Sequence, residues 1–181
     1  MKIRRVVTAH DAAGKSVLGV DGSPPRAKDF VHTPGFASAL VWSTPSVPSL
    51  PYGGADPTPA VTSFVPEPGA TRFLIVAFPP DSVMASENFD PVAAGREHLE
   101  EAPGLVEKFE PDNPGMHTTD TVDYGIVLDG EIWLELDDGA TVHLKRHDVV
   151  IQNGTRHAWR NKGNVPATMA FVLIGARRSK P

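Results

Sequence analysis

The sequence predicts an all-β fold, a sandwich or barrel of short antiparallel strands, on three observations. Glycine and proline are abundant, 16 and 18 among 181 residues, about 19% against an average of about 12%. A helical bundle does not tolerate so many breakers, whereas frequent turns use them. Apolar and polar residues alternate with period two, most plainly where Ile132, Leu134 and Leu136 interleave with Glu131, Trp133 and Glu135. Asp129-Gly130 and Asp138-Gly139 stand between such runs as tight-turn signals.

Residues 4–7 and 16–20 read as an opening hairpin, and 22–35 as a turn-rich stretch. A strand is expected over 36–43. Residues 44–69 hold seven prolines, which makes a long loop of polyproline character rather than a packed element. The β-branched and aromatic run 71–78 is a strand. Residues 91–101 form the helical stretch, with Pro91 suited to a first turn and Pro103 ending it; one further turn is expected over 104–109. From 122 onwards strands follow closely, at 122–128, 131–136, 142–144, 148–152, 157–161 and 169–174. No internal repeat is visible.

Composition sets limits on function. The chain has no cysteine and a formal net charge of −5, so disulfides and cysteine-held zinc are excluded. Any metal must sit on His, Asp, Glu or backbone. The mild acidity supplies no field for nucleic acid or an anionic membrane. The amino terminus is basic without an apolar segment behind it, unlike a cleaved leader. The longest apolar run, 167–176, is about half the length a membrane helix needs. A cytoplasmic protein with a small-molecule substrate or ligand is expected, with neither nucleic acid nor membrane as partner.

Of the seven histidines, two stand in a chemical context. His117 precedes Asp123 by six positions in an expected strand, where period two places 117, 119, 121 and 123 on one face. His157 follows Gly154-Thr155-Arg156 and precedes Asn161. Other patterns carry less. The glycine pairs do not link a strand to a helix as a phosphate loop does, Asp137-Asp138 reads as a turn, and no nucleophilic triad is apparent.

Residues 114–161 resemble the two motifs of the cupin superfamily. The first motif runs His-x-His, then Glu after three or four residues, then Gly seven beyond it; here stand His117, Thr119, Asp123 and Gly130. The second ends Pro-x-Gly-x-x-His-x-x-x-Asn; here stand Gln152, Gly154, His157 and Asn161. The resemblance spans about 70–175 and implies a double-stranded β-helix, or jelly-roll barrel, extended by N-terminal strands. It departs at Thr119 for His, Asp123 for Glu and Gln152 for Pro. A turn glycine is replaced by Arg146 or, aligned on Asp148, by His147.

The resemblance implies a mononuclear divalent metal, iron, zinc or manganese, on His117, Asp123 and His157, two imidazoles and a carboxylate that leave open positions. Thr119 and Tyr124 would contact bound water or substrate, and Trp159 and Asn161 would line its pocket. Oxygenase, decarboxylase, isomerase and lyase chemistry all remain open. The alternative is a non-catalytic cupin that binds a small ligand between the same histidines without metal. The chain divides into an N-terminal hairpin and Pro-rich arm (1–69), a barrel (70–176) with a helical insertion over 81–115, and a basic tail (177–181). The insertion is expected to gate the cavity, and the apolar strand edges point to a homodimer.

Overall fold

The computed structural model describes residues 1–179. The expected basic tail therefore lies partly, at 180 and 181, outside the described residues.

The chain opens with β1 (Arg5–His10) and β2 (Ser16–Gly22), a hairpin that forms a two-stranded sheet of its own. Next come β3 (Arg26–Asp29) and β4 (Ala37–Thr44). The stretch 22–35 read as turns thus contains a strand, because the alternation in Arg26-Ala27-Lys28-Asp29 is too short and polar to stand out. β5 (Thr71–Phe78) follows the proline-rich loop, and α1 (Pro91–Glu101) is the α-helix. Asp90 caps α1 by accepting from the N–H groups of Val92 and Ala93, both at 3.0 Å, and Pro91 occupies the first turn, where its missing N–H costs nothing. A single 3₁₀ turn at Val106–Lys108 is the further turn expected there.

β6 (Phe109–Glu110) and β7 (Asn113–His117) close the insertion as a small hairpin. Then come β8 (Thr121–Asp129), β9 (Glu131–Glu135), β10 (Thr141–Lys145), β11 (Val149–Asn153), β12 (Ala158–Arg160) and β13 (Ala167–Gly175). Gly130 makes the β8–β9 turn at φ +73, and a Cβ there would come within 2.8 Å of the Pro166 carbonyl. Only glycine satisfies both demands.

Two sheets face each other. The larger has strand order β11-β8-β13-β5-β4-β3, and the smaller β10-β9-β12, all pairs antiparallel. Leu40, Leu74, Val127, Ile132, Leu134, Met169 and Phe171 fill the space between them. Each fully buried side chain of this size contributes about 1.5–3 kcal/mol. This is the expected all-β jelly-roll, with β3 and β4 extending one sheet. No helix among the described residues is long and apolar enough to cross a membrane.

Candidate functional site

His117 ends β7 and His157 stands just before β12. Period two turns both inward, and they form an isolated antiparallel bridge in which each backbone N–H donates to the other's carbonyl at 2.9 Å. Their rings lie 4.3 Å apart between centroids. His117 Nδ1 is 2.9 Å from the Gly115 carbonyl and His157 Nδ1 is 2.9 Å from the Thr155 carbonyl. A carbonyl only accepts, so both Nδ1 atoms carry the proton and both Nε2 atoms keep a free lone pair. Burial pushes the His157 imidazole down to about 4, helped by the neighbouring His117, with the Thr155 carbonyl opposing. Burial also lowers His117. Both rings are neutral near pH 7.

Surrounding contacts fix this pair. The Phe109 ring packs 5.0 Å from His117, and Trp159 lies 5.9 Å from His157 and edge-on to it. Arg156 forks onto Glu110 at 2.6 and 2.7 Å, tying the β6–β7 hairpin to the loop before His157. Arg160 binds Glu135, the Pro114 carbonyl and the Asn113 side chain. Gly154, at φ +61, lies where a Cβ would press on the Thr119 carbonyl at 3.2 Å. Arg178, from the expected tail, donates to that carbonyl and to the Gly154 carbonyl and pairs with Asp120, strapping the two motif loops together.

The strand expected to run through 117–123 is interrupted at 118–120, between β7 and β8; Thr119, Thr121 and Asp123 are nonetheless all buried. The Thr119 and Thr121 hydroxyls are 2.8 Å apart. Asp123 is paired across β8 and β11 with Gln152. Asp123 Oδ1 and Gln152 Nε2 are both buried and without a hydrogen-bond partner, while Thr155 donates to the Gln152 Oε1 atom at 3.2 Å. Burial raises the Asp123 carboxyl to about 6, against the lowering effect of the Thr121 hydroxyl. Gln152 entered the sequence reading only as a departure from a proline; its place opposite Asp123 is set by the β8–β11 register, which no signal along the chain marks.

Two expected site residues lie elsewhere. Tyr124 is 44% exposed, because in a strand the neighbour of an inward Asp123 points outward; it cannot touch a substrate in the barrel. Asn161 is buried, but its side chain is used up by backbone, donating to the carbonyls of Phe78 and Val165 and accepting from the Gly163 N–H. It holds a loop and offers no polar atom to a pocket. Trp159 packs against the core as well as His157. Open hollows of about 320 and 340 Å³ lie away from the histidines, beside Phe30–Ala37 and beside His32 and Asp90.

The donor set can be tested for a metal. The two Nε2 lone pairs suit one, since a backbone carbonyl on the other ring nitrogen fixes the tautomer that binds. Yet among the described residues no three His, Asp or Glu side chains gather closely enough to hold an ion. Thr119, with a hydroxyl already engaged, occupies the position of the motif's second imidazole. The residues as folded do not fit a three-ligand centre.

No family model matches the chain. It is 33% identical over 136 residues to "Oryzines biosynthesis cluster protein J" of Aspergillus oryzae, covering 65% of this chain and 75% of that protein. It is 51% identical over 63 residues to "Phomopsin biosynthesis cluster protein C'" of Diaporthe leptostromiformis, covering 34% of this chain and 33% of the relative. That match thus spans about a third of the relative's length. It is 37% identical over 65 residues to the "Cupin-domain-containing oxidoreductase virC" of Hypocrea virens, 34% of each chain. Among solved structures, an RmlC-like cupin family protein with a double-stranded β-helix fold from Methanocaldococcus jannaschii aligns at TM-score 0.37 and 12% identity, over 58% of this chain and 70% of that one.

Proposed function

Because this chain belongs to the cupin superfamily, we propose that it is a small-molecule enzyme of a biosynthetic pathway that moves a proton at Asp123. The carrying observation is the facing pair of buried polar atoms without partners, Asp123 Oδ1 and Gln152 Nε2. Such atoms cost stability unless something satisfies them. The names of the relatives, biosynthesis cluster proteins among them, support a small-molecule role.

The Asp123 carboxyl, raised to about 6, is mostly ionised at neutral pH yet basic enough to accept a proton, as a general base requires. The Gln152 amide, directly across the strand pair, donates to an oxygen that gains charge as the proton leaves, such as a carbonyl becoming an enolate. The neutral His117 and His157 accept hydrogen bonds at Nε2 from hydroxyl or amine groups of the substrate and orient it. Asp123 then returns the proton to a second atom, and the net result is isomerisation. Where a leaving group departs with its electron pair, the result is elimination. The substrate is a small carbonyl compound carrying hydrogen-bond donors.

The test is wash-in of solvent deuterium next to the carbonyl in a panel of small hydroxy-ketones and keto acids, followed by NMR. Exchange should rise with pH through about 6, as the base form appears. It should fall at least ~100-fold in Asp123→Asn and ~10–100-fold in Gln152→Leu. Saturable binding without exchange would establish instead a non-catalytic binder. Exchange indifferent to Asp123→Asn would sink the assignment.

A second reading rests on the two Nε2 lone pairs. His117 and His157 would hold iron, zinc or manganese, with water completing the shell, and the metal would supply Lewis-acid or redox chemistry. Calorimetric titration of zinc and manganese separates the two readings. A metal site predicts that Thr119→His tightens binding at least tenfold by adding a ligand, and that affinity weakens as pH falls towards 4, where the His157 imidazole protonates. No gain in Thr119→His leaves the metal-free reading alone.

A further inference from the structure

We propose that His117 and His157 together bind a primary ammonium group of the substrate, which makes that substrate an aminoketone or a related amine bearing an enolisable carbonyl. The inference rests on the substrate-orienting role given above to the two histidines and not on the chemistry at Asp123. Both rings are locked by the same device. Each Nδ1–H donates to the carbonyl two residues back, Gly115 for His117 and Thr155 for His157, at 2.9 Å. Each Nε2 can therefore only accept, and among the described residues neither ring bonds through it. The rings lie 4.3 Å apart at 51°, which puts both lone pairs within reach of one nitrogen making bonds of about 2.7–3.2 Å.

Donor count selects the group. A carboxylate or a carbonyl has no proton to give. A hydroxyl has one, so it satisfies one imidazole and turns oxygen lone pairs towards the other. A primary ammonium has three N–H donors on a compact head and no lone pair, so it answers both imidazoles at once. A quaternary ammonium carries the same charge without a donor and answers neither.

Charge selects it as well. The three arginines around the pair are already bound to four carboxylates: Arg156 to Glu110 and Asp137, Arg160 to Glu135, and Arg178 to Asp120. Acid is thus in excess before Asp123 is counted. Glu110 is the charge that His117 feels, so the local field favours a cation and opposes an anion. Phe109, 5.0 Å from His117, and Trp159, 5.9 Å from His157, flank the pair; aromatic rings attract an ammonium within about 6 Å of their faces. Asp123 does not stand close enough to share one ion with the histidines. Amine and reacting carbonyl are therefore separate groups of one molecule, the first held at the imidazoles and the second at Gln152.

Calorimetric titration of the full chain in buffer containing a chelator tests this, with benzylamine, benzyl alcohol, benzoate and benzyltrimethylammonium as matched probes. Benzylamine is expected to bind at least tenfold tighter than each of the others. In the wild type, nitrogen-15 NMR should show it moving the Nε2 resonances of His117 and His157 while their Nδ1 resonances stay nearly still. Glu110→Gln should weaken benzylamine about three- to tenfold and leave benzyl alcohol unchanged. His157→Phe should abolish the preference, with circular dichroism checking that the fold is kept. Benzyl alcohol or benzyltrimethylammonium binding as tightly as benzylamine overturns the proposal, and so does the lack of saturable benzylamine binding by about 10 mM. So does binding that appears only when zinc is added in excess of the chelator, because the amine then sits on the metal. None of the four probes has an enolisable carbonyl, so the result is independent of the base assigned at Asp123. Amine binding without deuterium exchange in 4-(aminomethyl)acetophenone would end that assignment and leave this one standing; exchange in the hydroxy-ketones with no preference for benzylamine would do the reverse.

Discussion

His147 stands at φ 76, the left-handed region where a side chain costs about 1–2 kcal/mol. Its N–H donates to the Val127 carbonyl at 2.8 Å, and the tight turn into β11 needs that conformation. The motif comparison placed a glycine-requiring turn at Arg146 or His147, and the backbone chooses His147. His147→Gly should therefore stabilise the protein by about 0.5–1 kcal/mol after the entropic cost of glycine, measured by urea denaturation; a loss of stability would show that the imidazole makes a contact that matters more. Period two also settles Asp123 against Tyr124. The residue face was legible in the alternation, but Tyr124 was assigned by its chemistry rather than its parity, and the parity wins.

At the scale of elements, α1 is fastened to the loop before β4 by Glu97. Glu97 is buried and accepts from the Val31 and His32 N–H groups at 2.9 and 2.8 Å. Although burial works against its charge, those two donors hold the carboxylate below its ordinary range. Beside it, His98 sits against the Phe30 and Phe36 rings, 4.4 and 4.6 Å between centroids. Glu97→Ala strands two backbone donors and should cost about 1–3 kcal/mol. If α1 moves as a lid, exchange over 91–101 should quicken well beyond that in the barrel strands; a uniform change across the molecule would show that the helix is simply part of the core. The helix limits were readable from Pro91 and Pro103. Its docking was not, because the Val31 and His32 donors are some 65 residues away in sequence.

For the whole molecule, stability against pH is set by opposed buried groups. The His157 imidazole, lowered from 6.5 to about 4, stays neutral when folded while the unfolded chain takes up a proton. Its contribution is full above pH 6.5 and is lost as pH falls towards 4. The Asp123 carboxyl, raised from 3.8 to about 6, does the reverse, since the folded state holds its proton more tightly. Its burial penalty is full above pH 6 and is relieved as pH falls towards 3.8. Asp123→Asn should thus stabilise the protein at pH 7.5 by at most on the order of 3 kcal/mol, with the gain shrinking at pH 5 and acid destabilisation becoming steeper. Denaturant midpoints at the two pH values check this, and a gain that does not depend on pH would contradict burial of the charge as its cause. A more stable but inactive variant is the pattern expected of a group kept for chemistry.

What the sequence determined by itself is local: the strands with alternating faces, the Asp-Gly turns, the limits of α1, and the two motif segments that bring His117 and His157 onto the chain's inner faces. These follow from periodicity and turn chemistry, which act over a few residues. The short strands β3 and β7 escaped because their pairing partners, rather than their own residues, make them strands. Tertiary structure alone decided that Gln152 faces Asp123, that Asn161 spends its amide on a loop, and that Arg178 ties the two motif loops together. Each depends on which distant backbone groups the folded sheets bring within hydrogen-bonding reach, and no pattern along the chain encodes that distance.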